Sequence, residues 1–113
     1  MLRILQLFYN LPAPDTLAQD LALWHRVNEV FADAMGMANC TGSGWVMRRK
    51  ALEAINGFPI DTLAEDTKSS VMMLGLGWKT ALIQEPLQYG RVPESIRGHI
   101  KQRLRWVGPC AAI

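Results

Sequence analysis

The chain has 113 residues and a mass of 12.7 kDa; half of the residues are hydrophobic and 19% are charged. A domain holds roughly 100–200 residues, so this is one domain or part of one, and the composition excludes a disordered chain, a collagenous chain and a two-domain enzyme with a cleft between its domains. The net charge of +2 is unevenly placed: residues 1–90 hold seven basic side chains against nine acidic ones, while residues 91–113 hold Arg91, Arg97, Lys101, Arg103 and Arg105 against Glu94 alone. Such a basic segment either attracts phosphates, in nucleotides, lipid headgroups or nucleic acid, or forms a solvated helix face.

Residues 2–9 read as an apolar strand. This start is too short, and too soon broken by Gln6, for a signal peptide, and no run approaches the roughly 18 apolar residues that a membrane span needs. Pro12 and Pro14 break the chain. Asp15 is then a candidate N-cap for a helix running to about Met35, with Leu21, Trp24, Val27 and Phe31 as its apolar stripe; Trp24 is expected to pack in the core. Gly36, Gly42, Ser43 and Gly44 surround Cys40, a spacing that fits neither a dinucleotide fingerprint nor a P-loop but allows a tight turn or a close approach to a ligand. Cys40 and Cys110 are too few for a disulfide framework, and with His25 and His99 they make no metal-ligand spacing.

Trp45 to Met47 suggests a short strand. Arg48 to Ile55 suggests a short helix closed by Asn56-Gly57, with Pro59 beyond. A loop from Asp61 enters a helix near Glu65, whose first turn is acidic, as the helix dipole favours whether or not the acids have chemistry to do. Gly77 ends that helix and residues 78–83 make a strand. Pro86, Gly90 and Pro93 punctuate a loop, and Pro93 opens a last helix to about Val107. On that helix Ile96, Ile100, Leu104 and Val107 form an apolar stripe, while Trp106 is displaced from it onto a polar and basic face with His99, Gln102 and Arg103. A tryptophan there either stacks on a sugar or base beside phosphate-gripping arginines, or buries against a second element of the fold.

Two segments acquire meaning together: Ala64-Glu65-Asp66 and, 36 residues after Asp66, Gln102-Arg103-Leu104-Arg105-Trp106. This pair resembles the Thr-Glu-Asp and Gln-(Gln/Arg)-X-Arg-Trp motifs of the family 2 inverting glycosyltransferases, in particular the processive cellulose synthase-like enzymes. Gly42-Ser43-Gly44 with Arg48-Arg49 and Ala51-Leu52, Asn56-Gly57-Phe58-Pro59, Gly77-Trp78, and Gly90 with Pro93-Glu94 agree in order. The resemblance covers residues 36–108 well and residues 1–35 more loosely.

The resemblance implies an α/β fold: part of a doubly wound sheet of the nucleotide-sugar transferase type, with flanking helices and a C-terminal amphipathic helix at a membrane interface. Residues 1–92 would be the acceptor-side part of a catalytic domain and residues 93–113 the motif-bearing helix. Asp66 would be the general base that takes the acceptor hydroxyl's proton, supported by Glu65. Gln102, Arg103 and Arg105 would hold the donor diphosphate, and Trp106 would stack on the acceptor sugar. Cys40, Gly42 and Ser43 would line the acceptor site. The implied partners are a UDP-sugar donor, a growing β-linked glycan and a membrane, with the catalytic domain on the cytoplasmic side; no nucleic acid is implied.

This chain departs from the family pattern in several places. Ala64 stands for the usual Thr, and Thr41 enters the glycine–serine turn. The Asp-X-Asp pair that holds Mg²⁺ or Mn²⁺ in the family has no counterpart here, nor do the transmembrane helices, so the chain reads as a fragment expected to be inactive alone. Two alternatives remain. One is a non-enzymatic module whose basic amphipathic helix binds an anionic membrane or nucleic acid. The other is a non-processive relative that glucosylates a lipid.

Overall fold

The computed structural model describes residues 1–21 and 23–111. Three strands form one mixed sheet in the order β2-β1-β3. The central strand β1, Leu2–Phe8, pairs parallel with β3, Ala81–Gly90, and antiparallel with the two-residue β2, Trp45–Val46. A π-helical segment, Trp24–Glu29, runs into the short helix α1, Val30–Ala34. Helices α2, Arg49–Ala54, and α3, Glu65–Gly75, lie between β2 and β3, and α4, Ile96–Cys110, ends the described chain. This is a small α/β arrangement.

Two small cores hold it. On the sheet, Leu5, Leu82 and Ala38 pack together with Val30 against them. Between α2 and α3, Ala51, Ile55 and the fully buried Met73 pack with Met1, Met47, Leu52 and Trp78 around them. Helix α2 closes as its sequence indicates: Asn56 and Gly57 both take positive φ, and the Gly57 N–H donates to the Leu52 carbonyl at 2.9 Å.

Three expectations need correction. First, the helix expected from Asp15 begins near residue 23 instead. The Asp15 carboxylate does accept backbone N–H groups, from Gln19 at 3.0 Å and Asp20 at 2.8 Å, but it closes a loop rather than a helix start, and Ala18 inside that loop takes φ +49°. The expected apolar stripe does not face a core: Trp24 is 52% and Phe31 68% exposed, while His25 and Glu29 are buried. The π-helical turn has an i→i+5 ladder, which displaces the face that a 3.6-residue count assigns.

Second, β3 continues through Pro86, where the sequence suggests a loop. Among the described residues β3 is an edge strand paired only with β1, so a residue without an N–H is tolerated, and the register shifts on either side of Leu5 absorb the irregularity. Third, α4 starts at Ile96 rather than Pro93. Ser95 is the cap: its hydroxyl oxygen accepts the Gly98 N–H at 3.1 Å. The helix also runs past Val107 and through Pro109.

Met73→Ala is expected to destabilise the chain by about 2–5 kcal/mol, because it opens a cavity in a fully buried site, whereas Val71→Ala on the exposed face of α3 should stay within about 0.5 kcal/mol. Denaturant midpoints of the two variants check this.

Candidate active site

The first turn of α3 presents two carboxylates. Glu65 is exposed, and its carbonyl accepts the Ser69 hydroxyl at 2.5 Å. Asp66 is half-buried and doubly held: Oδ1 accepts the Thr67 N–H at 2.7 Å, and Oδ2 accepts the Gly42 N–H. The second bond reaches 24 residues back to the glycine–serine turn.

That turn is fastened on three sides. Toward α3, the Cys40 N–H donates to Ser70 Oγ at 3.0 Å, and the Ser70 hydroxyl donates to the Asp66 carbonyl at 2.8 Å. Toward β3, Gln88 Nε2 donates to Ser43 Oγ at 2.7 Å. Toward β1, the Ile4 N–H donates to the Gly44 carbonyl at 2.8 Å. Gly42 and Gly44 take φ of +65° and +75°, and a Cβ on Gly44 would run into the Ile4 and Gln88 side chains. The structure thus brings Asp66, Cys40, Gly42 and Ser43 to one place. Cys40 is only 2% exposed, and burial pushes its thiol up to about 11, so it packs there as a neutral group.

Beneath the turn lies a charged cluster that sequence reading misses. Arg3, His25 and Glu29 are buried. Arg3 Nη1 donates to Glu29 Oε1 and, at 3.1 Å, to the Asn39 carbonyl, while His25 Nδ1 meets Glu29 Oε2 at 2.9 Å. Burial pulls both the Arg3 guanidinium and the His25 imidazole below their usual values. Two signals were available: a lone arginine in an apolar strand, and a His–Glu pair four apart in a helix.

The second motif sits apart. On α4, Gln102, Arg103 and Trp106 are half-buried and Arg105 is exposed. The Arg103 guanidinium lies 5.0 Å from the Trp106 ring centroid, a cation–π contact within the motif itself. The stripe of Ile96, Ile100, Leu104 and Val107 is exposed. Among the described residues, no hydrogen bond, ion pair or ring contact joins this motif to Asp66 or to the turn at 40–44.

The ordered pieces around Asp66 match a known family. The family model described as "Glycosyl transferase family group 2" matches residues 13–112. The chain belongs to that family. Among curated relatives of this glycosyltransferase chain, the cellulose synthase 1 catalytic subunit (UDP-forming) of Komagataeibacter xylinus is 34% identical over 113 residues, covering 91% of this chain and 15% of the relative. The UDP-forming catalytic subunit of Xanthomonas axonopodis pv. citri is 36% identical over 72 residues, covering 64% of this chain and 10% of the relative. Cellulose synthase 1 of Komagataeibacter xylinus is 43% identical over 65 residues, 58% of this chain and 4% of that protein. The chain therefore spans a small part of the relatives it matches.

Enzymes of this glycosyltransferase family commonly use a divalent metal. Among the described residues, no group of three or more His, Cys, Asp or Glu side chains is arranged to hold an ion. No helix among the described residues is long and apolar enough to cross a membrane.

The His25 cluster generates a pH prediction. Because the native imidazole binds its proton less readily than the unfolded one, the unfolded state gains a proton first as pH falls through the usual histidine value of about 6.5. Stability present at pH 7 should decline as pH falls below about 6.5, above the range in which the exposed carboxylates Asp61 and Glu94, lowered by Lys68 and Arg91, take up protons. Melting temperatures at pH 7 and pH 5 should show this fall in the native chain and a smaller one in His25→Asn, whose amide can still donate to Glu29.

Proposed function

We propose that this chain supplies the base and part of the acceptor site for inverting transfer of a sugar from a UDP-sugar to a growing β-linked glycan. In this reading Asp66 takes the proton of the acceptor hydroxyl as its oxygen attacks the anomeric carbon. The bond to the diphosphate breaks on the opposite face, and UDP leaves with the electron pair. Glu65 shapes the helix start. Gln102, Arg103 and Arg105 hold the diphosphate where negative charge develops, and Trp106 stacks on the acceptor sugar. The observation that carries the reading is the Asp66 carboxylate fixed by the Gly42 N–H, which seats the expected base against the expected acceptor-lining turn.

That these relatives are UDP-forming supports the donor class, and that they are cellulose synthases supports a glycan acceptor. The three-stranded sheet is compatible with part of a doubly wound transferase sheet. The exposed stripe of α4, flanked by Arg97 and Lys101, supports an anionic membrane surface as that helix's neighbour, which this reading puts on the cytoplasmic side. The same stripe is the observation that favours the second reading, in which the chain is a membrane-binding module without chemistry.

A chimera decides between the two: residues 1–113 replace the matching segment of the Komagataeibacter catalytic subunit. Asp66→Asn keeps one carbonyl oxygen for the Gly42 N–H and gives up the bond from the Thr67 N–H, so the link to the turn is retained while the base is lost. Polymer synthesis should fall by about 10²–10⁴-fold with binding to anionic vesicles unchanged. Turnover equal to that of the unsubstituted chimera would sink the reading of Asp66 as base.

A further inference from the structure

The proposed mechanism leaves one buried charged cluster without a task. Three ionisable groups under a sheet are costly unless each is paired, and apolar side chains would fill the same space at less cost. Their arrangement is directional. Glu29 uses both oxygens, one on His25 Nδ1 and one on Arg3 Nη1. The same Arg3 nitrogen donates to the Asn39 carbonyl at 3.1 Å. Asn39 precedes Cys40, whose N–H is held by Ser70, and Gly42 follows two residues later with its N–H on Asp66. A continuous path of hydrogen bonds and backbone thus runs from His25 through Glu29 and Arg3 to the Asp66 carboxylate.

We propose that Arg3, locked by Glu29 and His25, is a positioning residue for Asp66: it anchors the backbone at Asn39 so that the turn delivers the Gly42 N–H to the carboxylate. This rests on the reading of Asp66 as the base and adds what aims it. Arg3 touches no reacting atom. An apolar residue at position 3 could fill the space but could not hold a carbonyl oxygen. His25 occupies the second Glu29 oxygen, and so keeps Glu29 turned toward Arg3.

The test is amide hydrogen exchange by NMR on the whole 113-residue chain. Asp66→Ala removes the acceptor and sets the Gly42 exchange rate without its bond. In Arg3→Met the Gly42 amide should exchange about tenfold faster, approaching that benchmark, while the Lys68 amide, bonded to the Ala64 carbonyl, and the Tyr9 amide, bonded to the Gly90 carbonyl, stay within about twofold. Glu29→Gln, which keeps the shape but loses the charge, should give an intermediate, equally local effect. If Arg3→Met loosens the entire chain, Glu29→Gln decides: a loss confined to residues 39–42 supports the proposal, and a uniform loss or none overturns it. Unchanged Gly42 exchange in both variants also overturns it.

In the active chimera, Arg3→Met should lower kcat with donor KM unchanged, and Arg3→Lys should recover part of the loss. If Asp66→Asn leaves turnover intact, the base assignment fails, while Gly42 exchange still judges the Arg3 link by itself.

Discussion

Between residues 40 and 44 the backbone doubles back through two left-handed glycines, and there the Gly42 N–H donates to the Asp66 carboxylate. The rest of the site is arranged around that bond. It joins a turn that belongs to the sheet side of the molecule to the first turn of α3, and it holds a charged oxygen with a backbone donor, the stronger kind of hydrogen bond. Ser70 doubles the link by accepting from Cys40 and donating to the Asp66 carbonyl. Positive φ at Gly42 points its N–H toward α3, and the absence of a Cβ at Gly44 lets Ile4 and Gln88 close over the turn.

The buried Arg3–Glu29–His25 cluster gives the same turn a second footing from below. Buried ion pairs seldom add much net stability, because desolvation consumes most of the Coulombic gain. Their use is orientation: a guanidinium, a carboxylate and an imidazole fit together in few geometries, here with Arg3 Nε buried and unpartnered among the described residues. Here the surplus donor of Arg3 falls on the Asn39 carbonyl. The pairing also explains the inverted helix at residues 24–34, where a His and a Glu point inward and Trp24, Val27 and Phe31 point to solvent. Several kcal/mol of burial cost would attend either ion alone, so the cluster rather than the apolar stripe determines which face turns in.

Two elements keep apolar surface exposed. The stripe on α4 and the outer face of residues 24–31 stay in water, and the two small cores hold the sheet and the α2–α3 pair. No described polar contact ties α4 to the Asp66 turn, and the Arg103–Trp106 cation–π contact lies within the second motif. Asp66 and the segment 102–106 thus lie on separate elements, the first tied to the turn at 40–44 and the second on α4.

Features that depend on neighbours along the chain could be read before the fold was known. The β1 strand, the α2 helix with its Asn56-Gly57 end, the α3 start at Glu65 and the family signature were legible because propensity, capping and motif spacing are local properties. The convergence of Cys40, Gly42 and Ser43 on Asp66 was legible only through resemblance. What the tertiary structure alone decided is non-local: the passage of β3 through Pro86, permitted by an edge position, the burial of His25 and Glu29, compelled by an arginine 22 and 26 residues away, and the fastening of Ser43 by Gln88 across 45 residues. Ion pairing and sheet position have no period along a sequence, so no count of apolar spacing could have shown them.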